Sequence, residues 1–174
     1  MRRKFLAGMA LLLLVGCAAL GGLEQREKIY GKAAPVITQS FASKQMRLGD
    51  TWKIYLNASD PDGDMKTIIS TIDQKGVGTY PVSFTRIRED QQRENLSGYI
   101  YLNTVGVSGL DYTTLVLNVQ IQDKAGHYSA PASFPLAFNP TFQQENPPPG
   151  LFKDKALGPI VIVLTTAGAK GGGE

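Results

Sequence analysis

Thr114-Leu115-Val116-Leu117-Asn118-Val119-Gln120-Ile121-Gln122 is the stretch that decides the fold, because apolar and polar side chains alternate along it. Leu115, Leu117, Val119 and Ile121 fall on one face, while Asn118, Gln120 and Gln122 fall on the other. A period of two residues, with β-branched residues on the apolar face, is typical of a strand with one face buried and one face wet. The stretch therefore predicts a sheet that covers a core on one side only.

The same alternation recurs upstream at Thr51–Ala58, where Trp52, Ile54, Leu56 and Ala58 share a face. Five further strands are predicted between clusters of Gly, Pro, Asp and Ser. They are Val36–Ala42, Lys66–Asp73, Thr79–Arg88, Ser97–Asn103 and His127–Phe138. We find no strong helical period in this region. About seven one-sided strands must bury their apolar faces against one another, which predicts an all-β antiparallel sandwich over residues 34–139.

Two segments of this region resemble a known superfamily. Gly49–Trp52, followed by Leu56-Asn57-Ala58-Ser59-Asp60-Pro61-Asp62-Gly63-Asp64, resembles the second strand and following loop of bacterial Ig-like, cadherin-like and PKD-type modules. The stretch Asp111–Ser129, with its Asp-x-x-Gly ending at Gly126, resembles their closing hairpin. The resemblance implies one Ig-like β-sandwich of about seven strands. The chain departs from Ig domains proper because it has no pair of cysteines.

The N-terminus has the parts of a secretory signal. Met1–Lys4 is basic, Phe5–Val15 is apolar, and Leu14-Val15-Gly16-Cys17 closes the run. The apolar run is about 11 residues, whereas a membrane-spanning helix needs roughly 20. The last four residues resemble the lipobox of bacterial lipoproteins, which implies removal of residues 1–16 and diacylation of Cys17. Ala18 matches the pattern for sorting to the periplasmic face of the outer membrane.

Removal of this signal changes the charge of the chain. The sequence has 18 Lys and Arg against 15 Asp and Glu, and three of the basic residues precede Cys17. The mature chain is therefore neutral, and the basic pI does not indicate a nucleic-acid partner. Because Cys17 is the only cysteine, an internal disulfide cannot form in an oxidising compartment.

The segments that flank the sandwich differ from it in composition. Residues 17–33 mix small and charged residues, which predicts a lipidated tether, with a short helix over Leu23–Tyr30 as one option. Residues 140–174 form a tail rich in Pro and Gly. Its apolar segment Ile160–Leu164 predicts a short strand, which either docks on this sandwich or adds to a partner's sheet.

The densest group of carboxylates is Asp60, Asp62 and Asp64, in the Asp-Pro-Asp-Gly-Asp loop. Hard oxygen ligands of this kind suit Ca²⁺. The resemblance to cadherin-like and PKD-type modules implies that Asp123, from the closing hairpin, approaches the same loop. The alternative is ordinary turn chemistry, in which Pro presets φ, Gly accepts a positive φ and Asp caps the backbone.

The tyrosines indicate a second kind of site. Tyr99 and Tyr101 share a strand face, and Tyr55 points away from the Trp52 face of its own strand, so the three form either a platform for sugars or half-buried sheet residues. Catalysis has little support, because His127 is the only histidine and is predicted to be a solvated turn residue.

These observations favour a membrane-anchored envelope lipoprotein that is not an enzyme. Its sandwich is expected to act as a protein-binding or structural module, with no catalytic residues, no cofactor beyond a structural calcium ion and no nucleic-acid partner. Two alternatives stay open. One is a glycan-binding module that uses the three tyrosines, and the other is an accessory subunit of an export or surface-assembly complex.

Overall fold

Alternating apolar residues place ten strands in two facing sheets. The structure is a computed structural model, and it describes residues 18–166. The predicted signal peptide (residues 1–16), the predicted acylation site Cys17 and residues 167–174 lie outside the described residues. Among residues 18–166, one α-helix, α1 (Ala18–Tyr30), precedes the strands, and a 3-10 helix covers Asp90–Gln92. The strands are β1 (Val36–Ala42), β2 (Gln45–Met46), β3 (Thr51–Ser59), β4 (Met65–Gln74), β5 (Gly78–Thr79), β6 (Ser83–Arg86), β7 (Asn95–Asn103), β8 (Thr114–Asp123), β9 (Ala132–Phe138) and β10 (Ala156–Pro159).

The two sheets have four and six strands. The first has the order β1-β3-β7-β10, and the second has the order β2-β9-β8-β4-β5, with β6 also paired to β4. All pairs are antiparallel except β7 with β10 and β2 with β9. The predicted all-β sandwich is therefore confirmed. No helix among residues 18–166 is both long and apolar enough to span a membrane.

The core lies between the sheets, on the faces that the alternation marks. Trp52, Ile54 and Leu56 of β3 are fully buried against the apolar residues of β8. The Trp52 indole Nε1 donates a hydrogen bond to the Ser43 carbonyl oxygen at 2.9 Å, so its polar atom is satisfied inside the core.

Two predicted strands are shorter than expected, and in both cases a proline explains the difference. The predicted strand Thr79–Arg88 is divided into β5 and β6 around Pro81, and the predicted strand His127–Phe138 begins only after Pro131. Proline has no N–H group to donate to a ladder, so pairing stops at each of these residues.

The C-terminal tail is part of the sandwich. Strand β10 pairs in parallel with β7, four residues before the predicted strand Ile160–Leu164, which has no ladder of its own. Ile160, Ile162 and Leu164 are nonetheless buried in the core, whereas Val161 and Val163 point to solvent. Of the two alternatives for this segment, the structure shows the first, because its apolar residues close the open side of this chain's own core.

Candidate cation site

Three buried carboxylates meet where the chain crosses from the first sheet to the second. The loop Asp60–Asp64 leaves β3 of the first sheet and enters β4 of the second, and Asp123 ends β8, where it pairs with Met65. Asp60, Asp64 and Asp123 are 1%, 4% and 1% exposed. One oxygen from each of them lies within 4.8 Å of the others.

Each carboxylate uses one oxygen to hold a loop. Asp60 Oδ1 accepts from the Asp62 amide at 3.1 Å, and Asp64 Oδ2 accepts from the Lys124 amide at 3.0 Å. Asp123 Oδ1 accepts from the His127 amide at 2.8 Å. Turn chemistry and a shared acidic site are therefore both present, because Asp60 and Asp64 each keep a second oxygen that holds no loop.

Two of the second oxygens have no partner. Asp60 Oδ2 and Asp64 Oδ1 are buried and accept no hydrogen bond. Burial and the neighbouring Asp64 carboxyl raise the pKa of Asp60 to about 6. Buried carboxylates of like charge require either a shared proton or a cation between them. The oxygen-only set of donors fits Ca²⁺, with water completing its six to eight ligands.

Asp62 does not belong to this cluster. Its side chain is exposed and turned the other way, and its Oδ2 accepts from the Ala33 amide at 2.7 Å. The prediction that all four aspartates share one site is therefore wrong for Asp62, because the loop alternates the direction of successive acids. Asp62 holds the segment that follows α1.

His127 connects the cluster to α1. Its Nδ1 lies 2.8 Å from Asp123 Oδ2, and its Nε2 lies 3.1 Å from Glu27 Oε1. The hydrogen bond to Glu27, with help from Asp123, raises the pKa of His127. The prediction that His127 is a solvated turn residue is wrong. Its imidazole is held by two carboxylates and links Asp123 to Glu27.

The contacts of Glu27 and Asp62 also change the description of the tether. Its second half lies on the sandwich. Helix α1 ends at Tyr30, and the next residue, Gly31, has a φ of +100° and donates its amide to the Glu27 carbonyl at 2.9 Å. A Cβ at Gly31 would lie 2.0 Å from Asp62 Oδ2, so only glycine permits this contact. The part of the tether from Glu27 to Ala33 is therefore docked.

The three tyrosines are brought together on the outer face of the first sheet. The Tyr55 and Tyr99 ring centroids are 5.3 Å apart, and those of Tyr99 and Tyr101 are 6.3 Å apart. Phe152 of the tail lies 5.7 Å from the Tyr55 ring, and Tyr55 is only 7% exposed. Tyr99 and Tyr101 are half-buried, which matches the second alternative for these residues. Tyr55 presents no exposed ring.

Comparisons with known proteins add little beyond the architecture. No family model matches the chain, and no curated protein sequence matches it. Among solved structures, the chain is similar to the PKD domain of an M14-like peptidase from Thermoplasmatales archaeon SCGC AB-540-F20, with 16% identity and a TM-score of 0.37. The match covers 62% of this chain and 97% of that one. At this level, the likeness says nothing of what the chain binds or does.

Proposed function

We propose that the chain is a lipid-anchored protein of the bacterial envelope whose Ig-like sandwich binds a partner protein. The observation that carries the binding role is an open groove between the edges of the two sheets, which we name the seam groove. It lies between β6 and β10 and has a volume of about 440 Å³. Its lining residues are Phe84–Glu89, Gln92, Lys155–Pro159 and Val161.

The seam groove separates two strands that do not form a ladder with each other. Thr85 Oγ1 donates to the Pro159 carbonyl at 2.9 Å, and the Val161 amide donates to Ser83 Oγ at 2.8 Å. Side chains, rather than backbone pairs, bridge this side of the sandwich. An unpaired strand edge is a template for an added extended segment.

Large apolar side chains stand exposed at the mouth of this groove. Phe84 is 64% exposed and Val161 is 74% exposed. Because the Val161 amide binds Ser83, next to Phe84 in the chain, these two side chains belong to one surface. An exposed aromatic group beside an aliphatic one, along a groove, is typical of a protein-binding surface. Arg86 and Arg88 in the lining favour an extended segment with acidic as well as apolar side chains.

Site-specific crosslinking in native membranes tests this surface. A photoreactive residue at position 84 is expected to give a discrete crosslinked partner. The same residue at Val105, which is 69% exposed in the loop after β7, serves as the matched control. The crosslink from position 84 should be lost when Val161→Ser is added, with the unfolding midpoint unchanged. Equal crosslinking from positions 84 and 105 would contradict the proposal.

The anchor is tested separately. The lipobox-like sequence supports acylation of Cys17, and two or more acyl chains are needed for stable attachment. The variant Cys17→Ala should move from the outer-membrane fraction to the inner-membrane or soluble fraction and lose labelling by a fatty-acid analogue. Unchanged labelling and unchanged fractionation would refute the anchor but not the seam groove.

An accessory role in an export or surface-assembly complex is one form of the same binding function.

A structural calcium ion at Asp60, Asp64 and Asp123 is the second proposal, and the unpartnered oxygens of Asp60 and Asp64 support it. A ligand that binds only the native state stabilises it by about 2.7 kcal/mol at a hundred times its Kd. Saturating Ca²⁺ should therefore raise the unfolding midpoint relative to EGTA. The rise should disappear in Asp64→Asn and persist in Asp62→Asn. A midpoint that ignores Ca²⁺ in the unmodified protein would contradict this site.

A further inference from the structure

A second groove, beside the end of α1, is lined by positive charge. Its lining residues are Tyr30, Lys66, Arg86, Ile87, Arg93 and Lys124, and its volume is about 370 Å³. The four cationic side chains come from β4, from the end of β6, from the segment before β7 and from the turn after β8. No carboxylate lines this groove. We name it the basic groove.

Most of this charge is not neutralised within the described part of the chain. Arg93 pairs with Asp90, through Nε and Oδ1 at 2.9 Å, and its Nη1 also donates to the Met65 carbonyl at 3.3 Å, which holds the guanidinium in place. Among residues 18–166, Lys66, Arg86 and Lys124 form no ion pair. Since the mature chain is neutral overall, this concentration of cations is local.

The shape of the basic groove adds to the effect of its charge. The buried Ile87 is the apolar part of the lining, and the Tyr30 ring lies 5.5 Å from Lys124 Nζ. A concave surface lined by one sign of charge concentrates the potential and attracts the opposite ion. Arginine and lysine together match a phosphate group, because the guanidinium fork binds its oxygens in pairs and the ammonium adds a point charge.

We propose that the basic groove binds a phosphate-bearing anion, of the kind that a phospholipid headgroup presents at the membrane surface. The chemistry recognised is the phosphate group itself, which a soluble phosphate ester shares with the headgroup. The carboxylate of Asp64 lies behind the groove, where it accepts from the Lys124 amide. A cation or proton bound to the cluster of Asp60, Asp64 and Asp123 reduces the negative charge that would oppose an anion in the groove. Binding of the anion is therefore measured with Ca²⁺ present.

The test uses the soluble chain from residue 18 onward, which contains every strand and the whole core described above, so its outcome does not depend on acylation. Cosedimentation is measured with vesicles of phosphatidylcholine alone and with a minority of phosphatidylglycerol added. The variant Lys66→Ala/Arg86→Ala removes two cations of the groove. The control Lys44→Ala/Lys75→Ala removes two exposed cations elsewhere and leaves the same net charge.

Binding to the anionic vesicles should weaken about fivefold for each groove cation removed, or about 25-fold for the pair, while the control stays within about twofold. Equal weakening of both variants would mean diffuse attraction and would overturn the site. In a parallel arm, glycerol phosphate is titrated while backbone amide signals are followed. Saturable shifts confined to the groove, without vesicle binding, support the phosphate site with a soluble source. Neither vesicle binding nor saturable shifts would overturn the proposal.

Discussion

Replacement of Ile162 by Ala tests whether the tail completes the core. Ile162 is 8% exposed, and its neighbours Val161 and Val163 are 74% and 79% exposed. Truncation of a buried Ile to Ala costs about 2–5 kcal/mol, and the lower half of that range suits a residue at the margin of the core. We therefore expect a loss of about 2–3 kcal/mol. Val163→Ala, on the same segment, should change the free energy of unfolding by less than about 0.5 kcal/mol.

Urea unfolding followed by tryptophan fluorescence measures this difference, because Trp52 is the only tryptophan and is fully buried. With an m-value of about 2 kcal/mol/M, the loss at Ile162 moves the midpoint down by about 1–1.5 M. A chain that ends after Pro159 loses three buried side chains, worth about 4.5–9 kcal/mol together, and should not fold stably. Equal midpoints for Ile162→Ala and Val163→Ala would refute the docked tail.

Three further predictions concern the carboxylate loop and its contacts. Gly31→Ala should lower the free energy of unfolding by about 1–2 kcal/mol and speed hydrogen exchange at the Ala33 amide, because the added Cβ has no room and φ is positive. The control Gly22→Ala should not destabilise the protein, because nothing lies within 4 Å of the Cβ that it adds. Because burial raises the pKa of Asp60 from 3.8 to about 6, the metal-free protein should lose stability as the pH rises through 6. Between pH 4.5 and 7 this loss is roughly 1–2 kcal/mol, since one pKa unit is worth about 1.4 kcal/mol, and Asp60→Asn, compared by urea midpoint at these two pH values, should lack it. Glu27→Gln should lower the pKa of the imidazole to which Glu27 binds, followed by NMR titration, and an unchanged pKa would show that the contact is absent in solution.

The strands were predictable because their signal is local. Alternation at Thr51–Ala58 and Thr114–Gln122 places each apolar side chain on the buried face without knowledge of any partner. The ladder of β10 was not predictable in the same way. This ladder depends on where β7 offers a free edge, so Ala156–Pro159 pairs with β7. The more apolar segment Ile160–Leu164 forms no ladder and packs against the core.

The candidate site was predictable only where the pattern of acids is informative. Asp60 and Asp64 stand out as a local cluster, and the resemblance to Ig-like modules supplied Asp123. The pair Glu27 and His127 was missed, because the two residues are separated by 100 positions and neither segment shows in isolation that it faces the other. The charge of Glu27, in a segment of small and charged residues, was the only available signal, and it fits a solvated helix equally well.

The alternation of acids in the β3–β4 loop has a consequence for how these contacts can be separated. Asp60 and Asp64 point between the sheets, whereas Asp62, at the tip of the turn that Asp60 caps, points outward to the Ala33 amide. The same five residues therefore carry two independent tasks. Asp62→Asn weakens the hold on the segment after α1 and leaves the buried oxygens intact, whereas Asp64→Asn removes one of the buried carboxylates proposed to bind Ca²⁺ and leaves the Asp62 contact in place. If both variants lost Ca²⁺ stabilisation and protection of the Ala33 amide together, the loop would act as one unit and the two tasks would not be independent.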